Sequence, residues 1–171
     1  MTEKEFMGAA MMGEKRKVLQ GIKEGVNVNC NDGYAIAYAA GNGHEGVVKV
    51  LLDAGARLDG KWGRQALAWS AEAGHVSIVK NLVNHGANVN MDDGKALVLA
   101  VKNDQIKCAK LLLDHGADHT LVDSDCRWTL KAWFPKYFDK VQAKNRDVLN
   151  RQCGSVRRGV NTKVANLLQN R

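Results

Sequence analysis

The side chains of Asn27, Asn29, Asn31 and Asp32 crowd oxygen atoms ahead of Gly33, a spacing that superficially suits a calcium ion. A calcium loop needs glycine at its sixth position and a bidentate glutamate at its twelfth. Here those places hold Asp32 and Tyr38. The run returns as Asn88, Asn90, Asp92, Asp93 and Gly94, which marks a recurring turn and not a calcium site. His115 and His119, with Asp114 and Asp118, supply metal-ligand types at close spacing, but Gly116 ends the helix between them, so the rings need not share a face. Four cysteines (Cys30, Cys108, Cys126, Cys153) are scattered without a Cys-x-x-Cys pair and read as reduced thiols of a cytosolic protein. No nucleophile is spaced with a base, no glycine-rich loop is built for phosphate, and no carboxylates are paired across a cleft-forming pattern. The expectation is no catalytic residue, no metal and no cofactor.

What remains is the chemistry of recognition. From Arg127 to Arg171 the chain carries 11 Lys/Arg and 2 Asp/Glu, a balance of +9, while everything before is at −2. Such asymmetry suits an acidic partner: nucleic acid, an anionic membrane face or an acidic protein patch. Arg151, Arg157, Arg158 and Lys163 can contact phosphates, and Trp128, Trp133, Phe134 and Tyr137 can stack on bases. The competing account buries those aromatics at the end of the fold and leaves the charge for solubility.

These residues must be positioned by repeating elements. Gly25, Gly55, Gly86 and Gly116 recur at spacings of 30, 31 and 30 residues, each before Val or Ala and after an aliphatic-rich helical pattern. A fixed period of this size signals stacked units, none of which can bury its apolar stripe alone. In 26–55, an extended stretch and a Gly33 turn lead to a small-residue helix, Ala35 to Ala40. Gly41, Asn42 and Gly43 break it, and a second helix aligns Val47, Val48, Leu51 and Leu52 on one stripe. Units 56–86 and 87–116 follow the same plan, with Ala66–Ala71 and Ala96–Ala100 as their small-residue helices. Residues 1–25 are a half-degenerate copy whose charged outer positions suit a cap facing water. A partial copy occupies 117–125, after which the pattern fades. Pro135 is placed to open a helix in a basic C-terminal extension, 126–171, that is expected to dock at least partly on the last unit.

The units resemble ankyrin repeats. The likeness lies in Gly43-His44, Gly74-His75, the aliphatic-pair helices and the run Gly86-Ala87-Asn88-Val89-Asn90, and it covers roughly 5–123. It implies an all-α, ankyrin-type helical solenoid with short β-hairpin loops and a C-terminal helical extension. The family's Thr-Pro-Leu-His segment is missing: Tyr34-Ala35-Ile36-Ala37, Gln65-Ala66-Leu67-Ala68 and Lys95-Ala96-Leu97-Val98 stand there instead. The units also fall short of the usual 33 residues. Asp104-Gln105 replaces Gly-His in the third. Short units of this kind look like those of large DNA viruses and intracellular bacteria.

The resemblance implies binding through hairpin tips and the concave first-helix face. Placed on this sequence, the contact residues are Tyr34, Trp62, Arg64 and Lys95 near the tips and Asn42, Glu72, Lys102 and Asn103 at the helix ends. Trp62 stands out, since Trp and Arg dominate interface hot spots; its alternative is to fold back and fill space left by a short loop. Tyr38 and Trp69 share a register with Leu99 and are expected in the inter-repeat core. The expected function is non-enzymatic recognition of a cellular or host protein by a cytoplasmic blocker or adaptor, as a monomer or a homodimer paired through Trp-rich ends. The alternative is nucleic-acid association through Arg151, Arg157, Arg158 and Lys163. No run of 18 or more apolar residues and no apolar leader near Met1 point to a membrane.

Overall fold

The computed structural model describes residues 1–138. Met1–Trp133 form one compact unit of paired helices. The first helices of successive pairs are α1 (Glu3–Met11), α3 (Tyr34–Gly41), α5 (Gly63–Glu72), α7 (Met91–Lys102) and α9 (Ser124–Trp133). The second helices are α2 (Lys15–Lys23), α4 (Glu45–Asp53), α6 (Val76–Asn84) and α8 (Ile106–Asp114). Each first helix packs on the first helices beside it, and each second helix on its own neighbours, so two helical layers run along the stack.

Small residues explain the close approach. Ala35, Ala37, Ala39 and Ala40 on α3 and Ala66 and Ala71 on α5 are all buried, letting backbones nest while Ile36 and Leu67 fill the space between them. The second helices contribute Val47, Val48, Leu51, Ile78, Val79, Leu82, Cys108 and Leu112, all buried, at helical spacing. Burial of this kind is non-directional and depends on the next pair being present, which is why the units hold together only as a stack.

Helix ends are built the same way in every unit. At the close of α4, Gly55 is left-handed (φ 83°) and the Ala56 N–H donates to Leu51 O at 2.9 Å, the Schellman arrangement that satisfies the last carbonyls. Before α2, α4 and α6 a left-handed glycine is overlaid by the following unit: the His44 ring lies against Gly13, the His75 ring against Gly43, and the Gln105 amide against Gly74. Asp104 takes the left-handed place itself (φ 55°), so Asp104-Gln105 fills the same geometry as Gly-His.

The expected β-hairpins are absent: among the described residues there is no strand. Asn31, Asp32 and Gly33 are consecutive left-handed residues (φ 51°, 52° and 90°), as are Asp92, Asp93 and Gly94 (φ 51°, 56° and 70°). Such a run coils the backbone instead of extending it, and Asn and Asp are the non-glycine residues that tolerate this region best. The longer second unit has no left-handed run. There Trp62 is right-handed (φ −90°), and its N–H donates to Asp32 O of the preceding loop at 3.1 Å.

The stacked unit runs to Trp133, past the point where the repeat pattern fades in the sequence. In α9, Cys126 and Leu130 are buried, at a spacing of 30 from Ala96 and Ala100. Trp128, expected to be buried at the end of the array, is instead 74% exposed. Residues 135–138 are helical with Pro135 in the first position. Arg151, Arg157, Arg158, Lys163 and Cys153 lie outside the described residues, as does the expected docking of the extension. Among the described residues no helix is long and apolar enough to cross a membrane.

Candidate interaction surface

Of the loop side chains that suggested calcium, Asn29 and Asn90 are committed to tying loops together. Asn29 Oδ1 accepts from Arg57 N at 2.7 Å while its Nδ2 donates to Gly55 O at 3.2 Å. Asn90 repeats this toward the next unit, accepting from Asp118 N at 2.7 Å and donating to Gly116 O at 3.1 Å. Asn27 and Asn88 each accept from the N–H two residues on, a local turn. The ligand-type histidine His115 turns its Nδ1 back to Leu111 O at 2.9 Å. Among the described residues no group of three or more His, Cys, Asp or Glu is arranged to hold a metal.

The structure gathers aromatic rings on the first-helix layer. Tyr34 and Tyr38, one turn apart on α3, stack with centroids 4.2 Å apart. Trp62, at the start of α5, sits 5.8 Å from Tyr34, 6.1 Å from Tyr38 and 6.0 Å from Trp69. Trp69 meets Tyr38 edge to face at 5.2 Å. The Lys61 ammonium stands 5.6 Å above the Trp62 ring. All four rings are half-buried: each supports its neighbours and keeps part of its surface open. Trp62 thus folds back onto neighbouring rings and also remains accessible. Tyr38 and Trp69 are not sealed in the core, because their faces border a concavity that no side chain fills. Desolvation first, and the neighbouring Tyr38 second, push the Tyr34 phenol above its ordinary pKa.

The charged candidates are held by one another. Arg64 pairs with Asp92 at 3.2 Å, and Gln65 donates to the other Asp92 oxygen at 3.1 Å. Lys95 Nζ donates in turn to Gln65 Oε1 at 2.8 Å, so a polar ladder crosses from α5 to α7. Lys102 reaches Asp123 at 3.1 Å, which raises its own pKa. Asp123 caps α9 by accepting from Cys126 N at 2.8 Å, and that bond above all holds its carboxyl at about 2. Asn42 Nδ2 donates to Met11 O at 2.9 Å, sharing that carbonyl with His44 Nε2 at 3.0 Å. Asn103 Nδ2 donates to Leu99 O at 2.9 Å on its own helix. Glu72 is half-buried and lines the concavity with Tyr38 and Trp69.

Sequence reasoning therefore named Tyr34, Trp62 and Glu72 as contacts but left out Tyr38 and Trp69, which complete the same surface. A signal was present. Gly41 stands where the other units have Glu72 and Lys102, and the missing side chain is what uncovers Trp69.

Paired helices stacked in two layers, left-handed turns between them and side-chain ladders joining the loops define a repeat solenoid whose working feature is an extended face. The chain belongs to the ankyrin-repeat family: the family model for ankyrin repeats (3 copies) matches residues 6–93 and again 54–123. Ankyrin repeats are generally protein–protein interaction modules and typically non-enzymatic. No curated protein matches the chain.

Proposed function

We propose that this protein is a cytoplasmic recognition module that binds one cellular or host protein through its first-helix layer and acts by blocking or recruiting it. The observation that carries the reading is the half-open cluster of Tyr34, Tyr38, Trp62 and Trp69 spanning two units. Aromatic rings already packed against one another lose little freedom on binding and present large apolar area, the property of interface anchors. The polar ladder of Arg64, Gln65, Asp92 and Lys95 borders them as a hydrogen-bonding rim.

The test is capture of partners from native or host lysate by the tagged full chain, with and without nuclease, beside the Trp62→Ser variant. One dominant protein that survives nuclease and is lost from Trp62→Ser supports the reading. A second reading rests on the +9 balance of residues 127–171, which suits nucleic acid. It predicts capture that collapses with nuclease, survives Trp62→Ser and fails when Arg157, Arg158 and Lys163 are neutralised.

A further inference from the structure

Between the C-terminal ends of α3 and α5 lies a concavity of about 370 Å³, lined by Tyr38, Gly41, Asn42, Trp69, Glu72 and Ala73. Its walls are two rings set at 71° to each other with centroids 5.2 Å apart. Its floor is open because Gly41 has no side chain: a Cβ there would stand 3.2 Å from Trp69 Cβ. The arrangement does not recur in the next pair of units, where Leu99 and Lys102 replace Trp69 and Glu72.

The rings and the carboxylate that line the concavity favour a cation. The ring faces of Tyr38 and Trp69 carry negative quadrupole potential. Asn42 donates one amide N–H to Met11 O, and its carbonyl oxygen is available to accept. Glu72 makes no ion pair among the described residues, and the cation nearest in register, Lys102, is held by Asp123 at 3.1 Å. A carboxylate beside aromatic faces gains most from a planar, weakly hydrated cation that can stack and fork its donors at once.

We propose that this concavity is the receptor for an arginine side chain of the protein partner, its guanidinium stacked on Trp69 and donating to Glu72. The proposal rests on the recognition reading and deepens it: the partner presents an exposed arginine to the first-helix layer, with Trp62 beside Trp69 at 6.0 Å.

The experiment titrates the full chain into the millimolar range with acetyl-Gly-Arg-Gly-amide, and separately with the same peptide carrying citrulline, the neutral isostere of arginine. Trp69 indole and Gly41 and Glu72 amide resonances report binding. The arginine peptide is expected to move these signals and the citrulline peptide to leave them unmoved. Glu72→Gln, which keeps the shape of the side chain, is expected to weaken the arginine response by about fivefold, the difference between a charge-assisted and a neutral bond. Equal responses to both peptides, no response at Trp69, or an unchanged response in Glu72→Gln overturns the proposal. Failure of the parent reading looks different: no protein is captured by the wild-type chain. A partner captured equally by wild type and Glu72→Gln, with no peptide response, removes the arginine receptor and leaves recognition standing.

Discussion

Replacing Asn90 with alanine removes two bonds that tie the start of the third unit to its end and to the fourth loop: the acceptor for Asp118 N at 2.7 Å and the donor to Gly116 O at 3.1 Å. Replacing Asn29 does the same between the first and second units, with Arg57 N and Gly55 O as the partners. A net hydrogen bond contributes about 0.5–1.5 kcal/mol, so each variant loses about 1–3 kcal/mol. With a urea slope of about 2 kcal/mol/M, the unfolding midpoint falls by about 1 M. Asp59 follows Arg57 as Asn29 follows Asn27, yet both its oxygens are engaged by the exposed Arg57 guanidinium at 3.0 Å within one loop. Its carboxyl pKa is lowered by that same partner, and no bond from it reaches the next loop. Asp59→Ala is therefore expected to leave the midpoint in place, since exposed pairs of this kind contribute little.

The three variants are compared by urea unfolding followed by circular dichroism. Loss of coupling between units should also broaden the transition in the asparagine variants, because a stacked array owes its cooperativity to nearest-neighbour interfaces. A midpoint loss in Asp59→Ala equal to that in Asn90→Ala would refute the reasoning, since it would mean that position matters and the bridging bonds do not.

Other consequences follow from burial and charge. Leu82→Ala empties a fully buried site on α6 and is expected to destabilise by about 2–5 kcal/mol in denaturant titration. Leu19→Ala, at a site 38% exposed, should fall within about 0.5 kcal/mol of wild type. Folding lowers the Asp123 carboxyl from 3.8 to about 2, so its stabilising effect is fully present above pH 4 and is lost as pH falls toward 2. The midpoint gap between wild type and Asp123→Asn should accordingly narrow over that window; a gap independent of pH would exclude the cap as its source. Burial raises the thiol pKa of Cys30 and Cys108 and brings Cys126 to about 11, with the Asp123 carboxylate adding to the last. Peptide mapping after brief alkylation at neutral pH should find all three unmodified in the folded chain and all three modified in urea.

Much of this architecture is legible before folding. The recurrence at Gly25, Gly55, Gly86 and Gly116 exposes the period, and the stripe of Val47, Val48, Leu51 and Leu52 gives the buried side of a helix. The loops are harder to read because their conformation depends on neighbours. Asn27-Val28-Asn29 alternates like an extended stretch, but Asn29 is fixed by a loop 28 residues away, and Asn31 and Asp32 are left-handed. The end of the array is hard to read for a similar reason. Cys126 and Leu130 continue the buried register of the earlier first helices without continuing their motifs. Tyr38 and Trp69 look like core because of register alone; that they border open space depends on Gly41, which shares α3 with Tyr38 and lies one unit before Trp69.

The second unit is where local regularity gives way, and the proposed interaction surface lies there. Its loop is one residue longer than its neighbours, it has no left-handed run, and Asp59 no longer bridges to the next loop. The chain closes the loop instead by close backbone approach: Trp62 N reaches Asp32 O, and any Cβ on Gly63 would overlap Arg57 O. That path carries Trp62 inward, between Tyr34, Tyr38 and Trp69. A sequence that breaks its own repeat at one unit gives up a favourable contact there, and such departures concentrate where function demands them. Replacing Lys61-Trp62-Gly63-Arg64 with Asn-Asp-Gly would restore the loop length and residue types of the first unit. By this argument that variant becomes no less stable than wild type and loses its partner, an outcome that a merely structural Trp62 would reverse.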